Sequence, residues 1–324
     1  MRLLLVELTR FRSRRAVALM LIVAAVLTAV VAGATIWETR PVSAQDLARA
    51  EAQLQRELDR PYVQREIDRC ERNPRRYMGP GAAVEDCERV VAPQLEWFLF
   101  RSTLSLAQER ADSGFTVLLI VAAVMIVIGI TFAGADWASG SMSNQVLFEP
   151  RRIKVWLSKC AAVFLGTLVA AAVIMAAFWL ALYLTAEMRG ISTGAQIQED
   201  IGWTTGRGVL LAAFGGLGGF ALTMLVRHTV GAMAVMFVYA AGGEAIIGTL
   251  PAEGVGRWSL ANNVLAWLRD GWRYYDPSIA CPPARRFCTQ QATLTIVEGA
   301  TYLVVLLLVV VVFSMVSFRR RDIP

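Results

Sequence analysis

The chain has 324 residues, of which 56% are hydrophobic, with a mean hydropathy of +0.50 and a net charge of +6. That apolarity exceeds what a soluble domain carries, so the 18% of charged residues must be segregated from long apolar runs. The positive balance then reads as an orientation signal and an attraction to anionic headgroups, and it argues against a nucleic-acid partner.

At the N-terminus, Leu3, Leu4, Leu5, Val6, Leu8 and Phe11 are interleaved with Arg2, Glu7, Arg10 and Arg12. This pattern predicts an interfacial helix over 1–15, with a simple extension of the first span as the alternative. Residues 16–36 form the first apolar run. A cleavable signal peptide is the competing reading there, and the length of the run weighs against it.

Residues 37–114 predict a helical cap between spans 1 and 2. Within it, 44–59 alternates charge with alanine and leucine at helical spacing, Pro61 interrupts, and a second short helix runs through Cys70. Pro74 and Gly79 mark a turn region after it.

Further spans are predicted at 115–134, 158–185, 208–226, 229–250 and 296–318. Each is near the roughly 20 residues that a helix needs to cross about 30 Å of hydrocarbon, where backbone groups must satisfy one another. Between them lie loops at 135–157, 186–207 and 251–295, and a tail at 319–324. The last loop carries Trp258, Trp267, Trp272, Tyr274 and Tyr275, which suits interfacial or re-entrant helices. The expected fold is therefore an all-α polytopic membrane protein with six transmembrane helices, an interfacial N-terminal helix and a helical extracellular cap.

Thirteen of the 32 basic residues fall on the side holding both termini: Arg2, Arg10, Arg12, Arg14, Arg15, Arg151, Arg152, Lys154, Lys159, Arg227, Arg319, Arg320 and Arg321. Few acids accompany them, so both termini are expected in the cytoplasm. Cys70, Cys87, Cys281 and Cys288 fall on the other side, as in an oxidising compartment. Disulfides Cys70–Cys87 and Cys281–Cys288 are expected, although four cysteines permit three pairings. No CxxC spacing supports a metal site, and the single histidine, His228, lies on the opposite side.

Two intramembrane features remain. Gly215 and Gly219 form a small-xxx-small face for close helix packing. Glu244 is the one charge in its span; a carboxylate there is either functional or a satisfied structural acid near the outer boundary. No HExxH, GxSxG or paired intramembrane carboxylates occur, so no enzyme activity or cofactor is expected in this chain. Lys154 and Lys159 are the only lysines and neither stands in a P-loop, so ATP-driven work would need another polypeptide.

The loop between spans 2 and 3 reads Gly134-Ala135-Asp136-Trp137, then Ser139-Gly140-Ser141-Met142, then Phe148-Glu149-Pro150-Arg151-Arg152, with Lys159 opening the third span. It resembles the corresponding loop of type-2 ABC exporter permeases, particularly their actinobacterial branch. Asp136 stands where that pattern commonly has glutamate, and Ser141 where it has threonine. The resemblance implies a permease subunit of the bacterial plasma membrane, working with an ATPase subunit that binds ATP and Mg²⁺ and with a second or homologous permease. It also implies a coupling helix over 137–147 that seats in the ATPase. Asp136, Trp137, Met142, Asn144, Phe148, Glu149, Arg151 and Arg152 are the expected coupling residues, the two arginines holding lipid phosphates. The alternative is a membrane anchor or sensor whose cap binds a partner.

Overall fold

The computed structural model describes residues 2–79, 83–99, 103–250, 252–276, 278–279 and 289–321. The chain forms two compact units, Met1–Ala32 together with Leu106–Pro324, and Gly33–Ser105. Helix α1 (Arg2–Ser13) is separated at Arg14 from α2 (Arg15–Glu38). It is a helix in its own right rather than an extension of the first span.

The smaller unit contains α3 (Ala44–Leu58), α4 (Pro61–Arg72), α5 (Pro74–Met78) and α6 (Asp86–Val91). Ser43 starts α3 with a capping box, its hydroxyl accepting from the Asp46 amide while Asp46 reaches back, so two orphan donors are satisfied. Pro61 and Pro74 sit in the first turns of α4 and α5, where a missing N–H costs nothing. The expected turn at Pro74 is thus a short helix that ends at Gly79. A disulfide joins Cys70 to Cys87 with their Cα atoms 5.7 Å apart, and both are fully buried, as are Ala50 of α3 and Val63 of α4. The expected partner bond, Cys281–Cys288, lies outside the described residues.

The larger unit continues with α7 (Leu106–Ala111), α8 (Ser113–Ala138), α9 (Ser141–Phe148), α10 (Arg152–Met188) and α11 (Ala195–Val226). The fifth apolar run is broken into α12 (Thr229–Phe237), a π-helical turn Val238–Gly242, and α13 (Gly243–Thr249). After α14 (Leu260–Leu268), a two-stranded antiparallel sheet pairs β1 (Trp272–Tyr275) with β2 (Gln291–Leu294), and α15 (Ile296–Arg320) closes the chain. Among the described residues, six helices are long and apolar enough to cross a membrane. The chain is a mainly helical, multi-pass membrane protein.

Three features refine the expected layout. Helix α10 starts at Arg152 rather than 158. Residues 195–207, expected in a loop, are the first turns of α11. Charged side chains such as Glu199 and Asp200 oppose burial in hydrocarbon but not helix formation, so the helices outrun the apolar windows. A short sheet accompanies the helices: Trp267 lies on α14 within the expected helical loop, while Trp272-Arg273-Tyr274-Tyr275, rich in β-favouring aromatics, pairs as a strand.

Helices α8 and α11 form the central seam. A Cβ on Gly129 would stand 1.9 Å from the Gly216 carbonyl oxygen, and one on Gly219 would stand 2.6 Å from the Ile126 carbonyl oxygen. Gly215 faces Ile126 as well, across the Ile126 side chain. Backbones meet here because Gly129, Gly216 and Gly219 carry no side chains at the crossing. Trp156 of α10, fully buried, packs its ring 5.8 Å from that of Phe220 and donates its indole N–H to the Ser314 hydroxyl of α15 at 3.2 Å.

Gly129→Ala is expected to force the seam apart and destabilise the protein by about 1–3 kcal/mol. Gly33→Ala, with no atom within 4 Å of the added methyl, is the control. Thermal unfolding of the detergent-solubilised protein reads the difference; equal midpoints would contradict the seam.

Candidate functional site

The segment joining α8 to α10 is built for presentation. Gly140 adopts a φ of 68°, the left-handed conformation that glycine takes without penalty, and turns the chain sharply out of α8. Helix α9 follows for eight residues and buries Met142. Asn144, Leu147 and Phe148, spaced i, i+3, i+4, share the opposite face, with Leu147 80% and Phe148 92% exposed. A short helix thus holds one apolar residue inward and offers two outward. Glu149 then ties the connection to α10 through a 2.6 Å ion pair with Lys154. The Lys154 hydrogen bond holds the Glu149 carboxyl below its ordinary value of 4.5.

Beneath the base of α9 lies a buried ionic cluster. Lys159 of α10, 0% exposed, donates at 2.5 Å to Asp136 Oδ2 and at 3.0 Å to Glu7 Oε2. Asp136, also 0% exposed, accepts on Oδ1 from Arg14 and, at 2.8 Å, from the Ser141 hydroxyl. Arg14 also donates to the Phe132 carbonyl, and its guanidinium lies 4.5 Å from the Phe132 ring centroid. Glu7 receives Arg10 at 3.3 Å. Two buried acids therefore face the buried Lys159 and the half-buried Arg14, with Arg10 at the rim, and one cluster joins α1, α8, α9 and α10. Phe11, one helical turn from Glu7, completes the contact by packing 5.5 Å from Phe132 and against Gly166.

The expected coupling residues divide accordingly. Asn144, Phe148 and Arg151 face outward, and Glu149 is half-buried with Lys154. Asp136 and Met142 do not face outward: desolvating the Asp136 carboxylate is tolerable because three donors surround it, and its role is anchoring. Trp137 belongs to the last turn of α8, not to a helix over 137–147. Its ring meets Phe318 edge-on at 6.4 Å and lies 4.9 Å from the Arg227 guanidinium. Arg152 donates to the carbonyl of Arg321 at 2.7 Å, at the end of α15. Leu147 and Glu7 were not anticipated. Glu7 and Phe11, spaced i, i+4 on an otherwise basic and apolar helix, were the available signal.

Glu244 resolves toward the structural alternative. Its carboxylate accepts from the Ser259 hydroxyl at 2.7 Å and from the Ala261 amide at 2.9 Å, and so caps the start of α14. His228 caps α12, its Nδ1 accepting from the Gly231 amide at 3.2 Å.

No family model, curated protein or solved structure matches this chain.

Removing Lys159 leaves two buried carboxylates with only the less buried Arg14 and Arg10 to offset them. Lys159→Met is expected to cost about 3–5 kcal/mol of stability, whereas Lys154→Met, at an exposed pair, is expected to cost less than about 1 kcal/mol. Thermal unfolding in detergent compares them, and similar losses would contradict the buried cluster. The Glu149 pair has its own pH signature. A carboxyl whose folded value is lowered contributes above its unfolded value and loses that contribution as pH falls through the folded one. Amide exchange over 149–154 should therefore differ between wild type and Glu149→Gln at neutral pH, and the difference should vanish below the usual carboxylate range.

Proposed function

We propose that the chain is the transmembrane permease subunit of an ATP-driven type-2 ABC exporter, with both termini cytoplasmic in a bacterial plasma membrane. The observation that carries this reading is α9: a short helix that exposes Leu147 and Phe148 while its base is locked into two spanning helices through Asp136, Lys159 and Glu7. An exposed apolar pair on a rigid mount suits docking into a groove of a second protein. Closure of an ATPase dimer around ATP and Mg²⁺ would then move α8 and α10 together, since nucleotide supplies the difference in binding energy between states. Two copies of this chain, or one copy and a homologous permease, would complete the transporter. The residues in this reading bind and transmit; ATP hydrolysis belongs to the partner. Helix α1 would lie along the inner membrane surface, and the smaller unit would form an extracellular cap.

A second reading, a membrane anchor or sensor, draws on the compactness of Gly33–Ser105 and its buried Cys70–Cys87 bond, which suit a partner-binding module. Co-expression with the products of neighbouring reading frames separates the two. A P-loop ATPase is expected to co-purify in detergent with wild type and to be lost with Leu147→Ser/Phe148→Ser, which leaves Met142 and the ionic cluster untouched. A well-folded chain that retains no ATPase would overturn the permease reading and favour the sensor.

A further inference from the structure

A groove of about 520 Å³ opens between α1 and the first turns of α10, lined by Leu3, Leu4, Arg151, Lys154, Leu157 and Ala161, among others. Its size falls within the range of small-ligand sites. We propose that this groove is a binding seat for one anionic membrane phospholipid, with an acyl chain along Leu3, Leu4, Leu157 and Ala161 and the phosphate at Arg151 and Lys154.

Depth and charge both favour this occupant. Helix α10 has 37 residues, about 55 Å at 1.5 Å per residue, against a hydrocarbon core of about 30 Å. Its uncharged run begins at Cys160, so Ala161 marks the hydrocarbon edge. Lys154 lies seven residues earlier, about 10 Å away along the axis, at headgroup depth. Along α10 the lining therefore runs from Ala161, Ser158 and Leu157 to the cations Lys154 and Arg151, which flank Ile153, in the direction in which a phospholipid runs from chain to phosphate. Two cations, Arg151 and Lys154, face the single carboxylate of Glu149, which leaves one positive charge in excess. A zwitterionic headgroup gains less from that excess than an anionic one. The floor residue Leu157 is half-exposed, so apolar surface awaits cover there. The proposal needs only a membrane and stands apart from the ATPase-docking reading.

Native mass spectrometry of the full chain in detergent tests it, with phosphatidylglycerol, phosphatidylcholine and inorganic phosphate as probes. Wild type is expected to retain one phosphatidylglycerol in preference to phosphatidylcholine. At about 1 kcal/mol per cation near a surface, Arg151→Gln is expected to weaken that retention about fivefold. Leu157→Asn should weaken retention of the lipid with its charges in place. Equal retention of the two lipids by wild type would overturn the proposal. So would displacement of the lipid by inorganic phosphate at equal concentration, which would mark a site for a free anion. Unaltered retention in both variants, with unfolding midpoints matching wild type, would also overturn it.

Discussion

The ammonium group of Lys159, held between the carboxylates of Asp136 and Glu7, is the constraint from which the arrangement of the α9-bearing end follows. A charge withdrawn from water costs several kcal/mol unless its partners are fixed, so each member of the cluster dictates the positions of the others. Lysine suits the place because its compact ammonium has three donors and no preferred plane, and can serve two acids from different helices. The chain has 32 basic residues but only two lysines, and one is spent here. Glu7 brings α1 with it, Asp136 fixes the end of α8, and Ser141 binds the first residue of α9 to the same carboxylate.

The end of α8 is then restrained from every side. A Cβ on Gly134 would stand 1.9 Å from the Thr229 hydroxyl, so α12 starts directly against it. Trp137 wedges toward Phe318 of α15 and beneath Arg227. One turn further, Gly129 and Gly216 bring α8 and α11 to backbone contact. A displacement of the Ser141 end of α9 is passed to Asp136 and so toward the central seam, because close-packed interiors transmit displacement rather than absorb it.

Much of this fold is legible in the sequence, and the reasons are physical. The spans are visible because hydrocarbon imposes composition locally, residue by residue, over about 20 positions. Their true ends are not, because Glu199 and Asp200 are as acceptable to a helix in water as to a loop. The Cys70–Cys87 bond was open to reading because its partners are 17 residues apart. Lys159 and Glu7 are 152 residues apart, and nothing in either neighbourhood names the other. The same holds for Trp156 and Ser314. Asp136 stands out by its setting, but its burial does not: an acid at the end of an apolar run reads as exposed until a basic partner from another helix is known. The strands failed for a different reason, since Trp and Tyr serve headgroup anchoring and β-pairing equally well.

The spanning helices differ sharply in how firmly they are held. Over half of the apolar window of α11 is buried, against 6% for Thr229–Thr249. That span is nevertheless fixed at both extremities, by Thr229 against Gly134 and by Glu244 at the start of α14. Between them lies the π-helical turn Val238–Gly242, in which Tyr239 shares a 2.6 Å hydrogen bond with Tyr302 of α15 while Tyr302 donates to the Trp258 carbonyl. The hydroxyls satisfy each other, so the lightly packed helix carries few polar debts into an apolar surround. A π turn is already a departure from the regular ladder. Among the described spanning helices the fifth is thus the least buried, while the seam of α8 and α11 and the ionic cluster at its end are the closely packed frame.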